Sequence, residues 1–203
     1  MILSAPFPRV RRLVIASLVL LAAGCQATDT GRVSVPALPA WRAPAQSGIV
    51  TWEQVAAGVQ QHAPGAQLVT SDATFTALSA DFARELVAWT RVFLWHQNKE
   101  ARGFRWTAES LDCDKFAKAF TLAAELAAAR AGVHAQPLAL RISVWQVSAF
   151  GGVPAMPAGQ NGHALVALVT DAGILIVEPQ SGTVATFADY PNRAEVWRVV
   201  IGG

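Results

Sequence analysis

An α+β fold, with helices from the N-terminal half packed on an antiparallel sheet from the C-terminal half, is predicted by three observations. Apolar residues recur at three- and four-residue steps from Trp52 to Ala131. After Gly132 the pattern changes to two-residue alternation and short runs dense in Val, Leu and Ile. Pro64-Gly65 and Gly132 punctuate the first half as helix stops. Helical segments followed by strands, without internal repeat, describe one domain.

The chain opens with Arg9, Arg11 and Arg12 and no acid, followed by an apolar run from Leu13 to Ala23. That run is well short of the ~20 residues a spanning helix needs, and the layout is that of a secretory signal. It ends in Leu21-Ala22-Ala23-Gly24-Cys25, which resembles the bacterial lipobox. The resemblance implies cleavage after residue 24, lipidation of Cys25, and, with Gln26 rather than Asp next, an outer-membrane destination facing the periplasm. The whole chain has a formal net charge of +2, and removing residues 1–24 takes three arginines with it. No basic face then remains to argue for nucleic acid, and membrane contact is expected through lipid alone. Residues 25–48, with Pro36, Pro39 and Pro44 and little periodicity, read as a flexible tether, leaving 49–203 as the domain.

Thr51 is a suitable N-cap for a first helix through about His62. A second helix is expected from Ser79 to about Gln97, its stripe formed by Phe82, Leu86, Trp89, Phe93 and Leu94. A third runs from about Asp112 to Ala131, with Phe116, Phe120, Ala123 and Ala127 inward. Strands follow over Leu138–Val147, Gly162–Val169, Gly173–Val177, Thr183–Phe187 and Glu195–Ile201. In the first of these Leu138, Leu140, Ile142, Val144 and Gln146 share a face.

With Cys25 committed to the signal, Cys113 is left as a lone thiol in an exported chain, a candidate nucleophile. It falls at the first turn of the third helix, where unpaired N–H groups and the helix dipole favour a thiolate, and where its own N–H can help hold an oxyanion. His163 stands at the mouth of a predicted strand, after the Gly- and Pro-rich stretch 151–160. Glu178 closes the next strand. If residues 169–172 make a four-residue hairpin loop, His163 lies opposite Glu178 with Cβ atoms about 5 Å apart, and the carboxylate can orient the imidazole. His62, His96 and His134 have no matching acid nearby. No motif singles out a second oxyanion donor among Gln97, Asn98, Trp106 and Thr107.

A Cys on a helix start, then a His and an acid on successive strands, resembles the papain-like cysteine peptidases and their transglutaminase-like relatives. Within that group, Asp112-Cys113-Asp114-Lys115-Phe116-Ala117, Gly162-His163-Ala164 and Glu178-Pro179-Gln180 are most similar to the C-terminal protease domain of a mushroom agglutinin and bacterial proteins like it. The resemblance spans roughly residues 80–185. It implies a papain-like or transglutaminase-like fold, with Cys113 as nucleophile, His163 as base and Glu178 as its orienter, acting on a peptide or peptidoglycan-like amide. Transfer to an amine in place of water is the acyl-transferring variant. A non-catalytic envelope lipoprotein, using the fold as a binding or assembly module, is the reading from another class.

Asp112 and Asp114 flank the nucleophile, and their charge works against a thiolate. Asp112 is accounted for as the N-cap. No cofactor is required by this chemistry, but the agglutinin protease family is associated with calcium, which the resemblance transfers to Asp114 and Gln180 as candidate ligands. Lys115 stands where that family often has another Asp, which counts against a metal.

Overall fold

In the computed structural model the described residues are 37–38, 40–101, 112–133, 136–157, 159 and 162–201, with backbone only from 95 to 101. The signal, Cys25 and the first part of the expected tether lie outside them, as do Trp106, Thr107, His134 and the side chains of His96, Gln97 and Asn98. Among the described residues, three α-helices and eight strands follow in the order β1 (Gln46–Thr51), α1 (Trp52–His62), β2 (Gln67–Val69), β3 (Thr74–Leu78), α2 (Ala80–Ala101), α3 (Cys113–Arg130), β4 (Ala139–Trp145), β5 (Gly162–Thr170), β6 (Gly173–Glu178), β7 (Thr183–Thr186) and β8 (Val196–Val200). The fold is therefore α+β, with the strands in one sheet.

Each helix starts where the sequence provides a cap. Thr51 and Gln54 form a reciprocal capping box at α1. Asp112 caps α3 by accepting the N–H of Lys115 at 3.2 Å. Helix α3 ends at Gly132, whose φ of +89° suits glycine. Its buried face consists of Ala117, Phe120, Ala123, Ala124, Ala127 and Ala128. The expected stripe is thus shifted by one residue at its start, with Phe116 only half-buried.

The five strands expected after Gly132 are present, and β4–β5, β5–β6, β6–β7 and β4–β8 all pair antiparallel. The N-terminal half, however, is not purely helical. It adds β1, β2 and β3 to the same sheet, with β2 running parallel to β8 and β3 meeting β5 in parallel at Leu78 and Thr170. These three strands are three to six residues long, too short to carry a distinct periodicity. They gain their stability from pairing with neighbours remote in sequence.

The tether reading also needs correction. Ala37, Trp41 and Arg42 pack along α2: Trp41 meets Phe82 edge-on at 4.9 Å, and Trp89 Nε1–H donates to the Ala37 carbonyl at 3.3 Å. The Arg42 backbone N–H donates to Glu85 Oε2 at 3.0 Å. The domain edge drawn at residue 49 falls inside β1.

Two apolar layers flank the sheet. One packs Ala164, Val166, Leu168, Leu175 and Val177 against α2 and α3. The other packs Leu165, Ala167, Val169, Ile174 and Ile176 with Val55 and Val59 of α1. Strand β5 is buried on both faces, and each fully buried large side chain in these layers contributes about 1.5–3 kcal/mol. The element that carries His163 is thereby held from both sides. No helix among the described residues is long and apolar enough to cross a membrane.

Candidate active site

Strands β5 and β6 are joined by a two-residue turn, Asp171-Ala172, with Thr170 opposite Gly173 and Val166 opposite Val177. A four-residue loop had been expected. The true register is displaced by two, so Glu178 lies diagonal to His163 instead of directly across from it. Because side chains alternate with a period of two, an even displacement leaves both on one face. A diagonal separation of roughly 7–8 Å between Cα positions is within the reach of a glutamate and an imidazole. His163 Nε2–H accordingly donates to Glu178 Oε2 at 2.5 Å.

The carboxylate is fully buried and the imidazole nearly so, at 0% and 7% exposure. Glu178 Oε1 accepts the backbone N–H of Gln180 at 3.0 Å, so both oxygens are occupied. An ionised carboxylate accepts only, which puts the Nε2 proton on the histidine and leaves Nδ1 for another partner. Cys113 is hydrogen-bonded to the same side chain. Burial acts on His163 most strongly and disfavours its charged form. Hydrogen bonding to Cys113 and to Glu178, together with their electrostatic influence, outweighs it and pushes the imidazole up to about 9.

The three side chains reach this point by different routes. Cys113 is the first residue of α3 and packs against the helix-side layer. His163 shares the alternation of Leu165 and Ala167, which belong to the other layer. They meet at the end of the sheet where β5 begins. There a cavity of about 330 Å³ is lined by Cys113, His163, Gln146, Gly162 and Gln180 and by Val153, Pro154 and Met156 of the loop after β4. Larger cavities lie beneath α1 and beside α2, but neither is lined by any member of this trio.

A buried polar network that the sequence reading did not assign supports the site. Asn192 Oδ1 accepts the Ser148 N–H at 2.6 Å, and Asn192 Nδ2 donates to the Ser148 carbonyl at 2.9 Å. Gln146 Nε2 donates to the same carbonyl at 2.6 Å, and its Oε1 accepts the Tyr190 hydroxyl at 3.4 Å. Burial holds that hydroxyl well above its ordinary range, with a further upward push from Glu178 against the downward influence of Asn192, so it remains a neutral donor. The network fixes the chain just before Gly151 and Gly152, which turn back at φ of +58° and +88° between the paired Phe150 and Val153. Gly151 passes against the carboxylate so closely that a Cβ there would lie 2.6 Å from Glu178 Cγ. Gln146 did leave a signal in the sequence, as a polar residue ending an apolar face. Asn192 and Tyr190, in a turn before β8, left none.

Of the candidate metal ligands, Asp114 and Gln180 are both exposed, and among the described residues no three His, Cys, Asp or Glu side chains cluster. Lys115 pairs with Asp112 at 3.7 Å. His62 stacks on Phe187 and lines the cavity beneath α1.

No family model matches the chain, and no curated protein matches it. Solved structures do match. One, titled "PSL1a-E64 complex", superposes with a TM-score of 0.51 at 18% identity over 77% of this chain and 52% of that one. The chain therefore spans about half the length of that neighbour, and the likeness concerns the fold alone.

Two expectations follow. His163 has its folded value raised above the ordinary 6.5, so its contribution to stability is complete below about pH 6.5 and is lost as pH rises through about 9. Urea unfolding between pH 6 and 9.5 should show wild-type stability falling over that window, and His163→Gln should lack this fall; parallel curves would contradict the assignment. Gly151→Ala should destabilise by about 2–4 kcal/mol, combining left-handed strain with the clash on Glu178, whereas Gly152→Ala, which meets no atom within 4 Å, should cost less. Chemical denaturation of the two variants side by side checks the order.

Proposed function

We propose that the chain is a lipid-anchored cysteine hydrolase of the papain-like or transglutaminase-like group, facing the periplasm from the outer membrane and cleaving an amide. The observation that carries this reading is that one buried imidazole interacts with a lone thiol on one side and a buried carboxylate on the other. Cys113 is the nucleophile and adds to the amide carbonyl. The backbone N–H of Cys113, at the start of α3, is offered to the developing oxyanion, while that of Lys115 stays with the Asp112 cap. His163 transfers its proton to the departing amine, and water, deprotonated by the same imidazole, releases the acyl group from sulfur. Glu178 holds the ring in the required tautomer and offsets its charge, the role of the third member in triad catalysis.

A buried His–Glu pair is weak evidence for stability, since apolar replacements often serve a core equally well. Its position at a cavity shared with the Cys113 thiol supports a catalytic use. The structural neighbour supports the fold, and its title names a complex with E64.

The test uses the full chain and a mixed pool of peptides, with new termini counted by mass spectrometry. Wild type should cleave, and Cys113→Ala and His163→Ala should each lose about 10³-fold or more. Iodoacetamide at pH 6 should alkylate Cys113 in wild type and much more slowly in His163→Ala, with peptide mapping separating it from Cys25. Prior incubation with E64 should protect Cys113. A chain that neither cleaves nor labels would instead be an anchored binding module.

A further inference from the structure

At the Gly162 end of β5, on the side of the sheet that faces α2 and α3, lies a pair of tryptophans that the proposed chemistry does not use. Trp145 ends β4 and pairs with Gly162 across the β4–β5 ladder. Trp197 comes from β8, where Ser143 pairs with Arg198 but Val144 pairs with Val196. Trp197 is thus the extra residue of a β-bulge. A bulge re-aims a side chain that strict alternation would send elsewhere. Here it stacks the Trp197 ring on Trp145, with centroids 5.8 Å apart and planes 29° from parallel. A tryptophan placed by a bulge and left 39% exposed is poorly explained by core packing.

Gly162 connects this pair to the thiol. It lines the cavity with Cys113 and His163, and a Cβ on it would lie 3.8 Å from Trp145 Cζ3 and 4.0 Å from Trp197 Cζ2. Gly162 is therefore the junction between the cavity wall and the two rings. The remaining wall includes Val153, Pro154 and Met156. Apart from His163 and two amide side chains, these neighbours of the nucleophile are apolar or aromatic. Of the two amides, Gln146 is already engaged by Ser148 and Tyr190, and Gln180 is exposed. The exposed charge next to Trp197 in the strand is Arg198, which disfavours a cationic guest.

We propose that Trp145 and Trp197 form a substrate subsite that receives an aromatic side chain of a peptide adjacent to the scissile amide. Flat rings gain from offset or edge-on contact with indole in addition to the area they bury. This rests on the amide-hydrolase reading for its link to cleavage, but not for binding itself.

The experiment therefore has two arms. In the first, the full chain with Cys113→Ala is labelled with 5-fluorotryptophan, the Trp145 and Trp197 resonances are assigned by Trp→Phe substitution, and N-acetyl-phenylalaninamide or N-acetylglucosamine is titrated in. The phenylalanine amide should shift both resonances, and the sugar should shift neither. In the second arm, cleavage of matched peptides with Phe or Ala beside the scissile bond is compared. Wild type should favour Phe, and Trp197→Ala should lower the Phe-to-Ala ratio of kcat/KM by about tenfold. Gly162→Ala, which adds a methyl group in ordinary contact with both rings, should lower that ratio in the same direction and guards against misfolding of the tryptophan variant. Shifts without any cleavage would retain the subsite and remove the hydrolase reading. Cleavage without aromatic preference and without shifts would overturn the subsite alone, as would shifts produced by the sugar and not by the amide.

Discussion

A fully buried carboxylate without a partner costs several kcal/mol, and this molecule buries Glu178 completely. Everything around the active end of the sheet answers that constraint. One oxygen accepts from His163 and the other from the Gln180 backbone. The loop after β4 covers the carboxylate, and only glycine at 151 lets the backbone pass. That loop is in turn anchored through Ser148 to Asn192, which lies 44 residues further along the chain. The cost of burial thus fixes the ring, and with it the proposed base for the thiol at the start of α3.

The architecture brings the thiol and the imidazole from opposite sides of one sheet to a common cavity where the sheet stops. Helix α3 is held by alanines and Phe120 against the layer formed by Ala164, Val166 and Leu168, with Cys113 at its leading end. Strand β5, buried on both faces, carries His163 to the same end from the other layer. Small residues on α3 allow close approach to the sheet, so its first turn can reach the strand mouth. The fold thereby assembles a polar site without opening either apolar layer.

The parts legible in the sequence were those encoded locally. Caps at Thr51 and Asp112, the stop at Gly132 and the five later strands follow from residue type and spacing. The trio Cys113, His163 and Glu178 was found from context: a lone thiol at a helix start, a histidine beside a Gly- and Pro-rich loop, an acid closing an apolar strand. The loop length was misjudged by two residues, and the pairing survived because strand faces repeat every two. An error of one would have sent Glu178 to the other layer. What remained hidden depends on tertiary pairing: the short strands β1, β2 and β3, the packing of Ala37, Trp41 and Arg42 on α2, and the Asn192–Ser148–Gln146 network. The bulge at Trp197 is hidden in the same way, because it exists only in the register between β4 and β8.

The account depends most on the electrostatic state of His163, held between a buried carboxylate and the Cys113 thiol. Titration of its ring by NMR on the full chain labelled with ¹³C-histidine, from pH 5 to 10, measures this directly. The wild-type ring should remain protonated at neutral pH with a midpoint near 9, and Glu178→Gln and Cys113→Ala should each lower that midpoint. A wild-type midpoint at or below the ordinary 6.5, unmoved by either substitution, would show that the three groups do not act on one another.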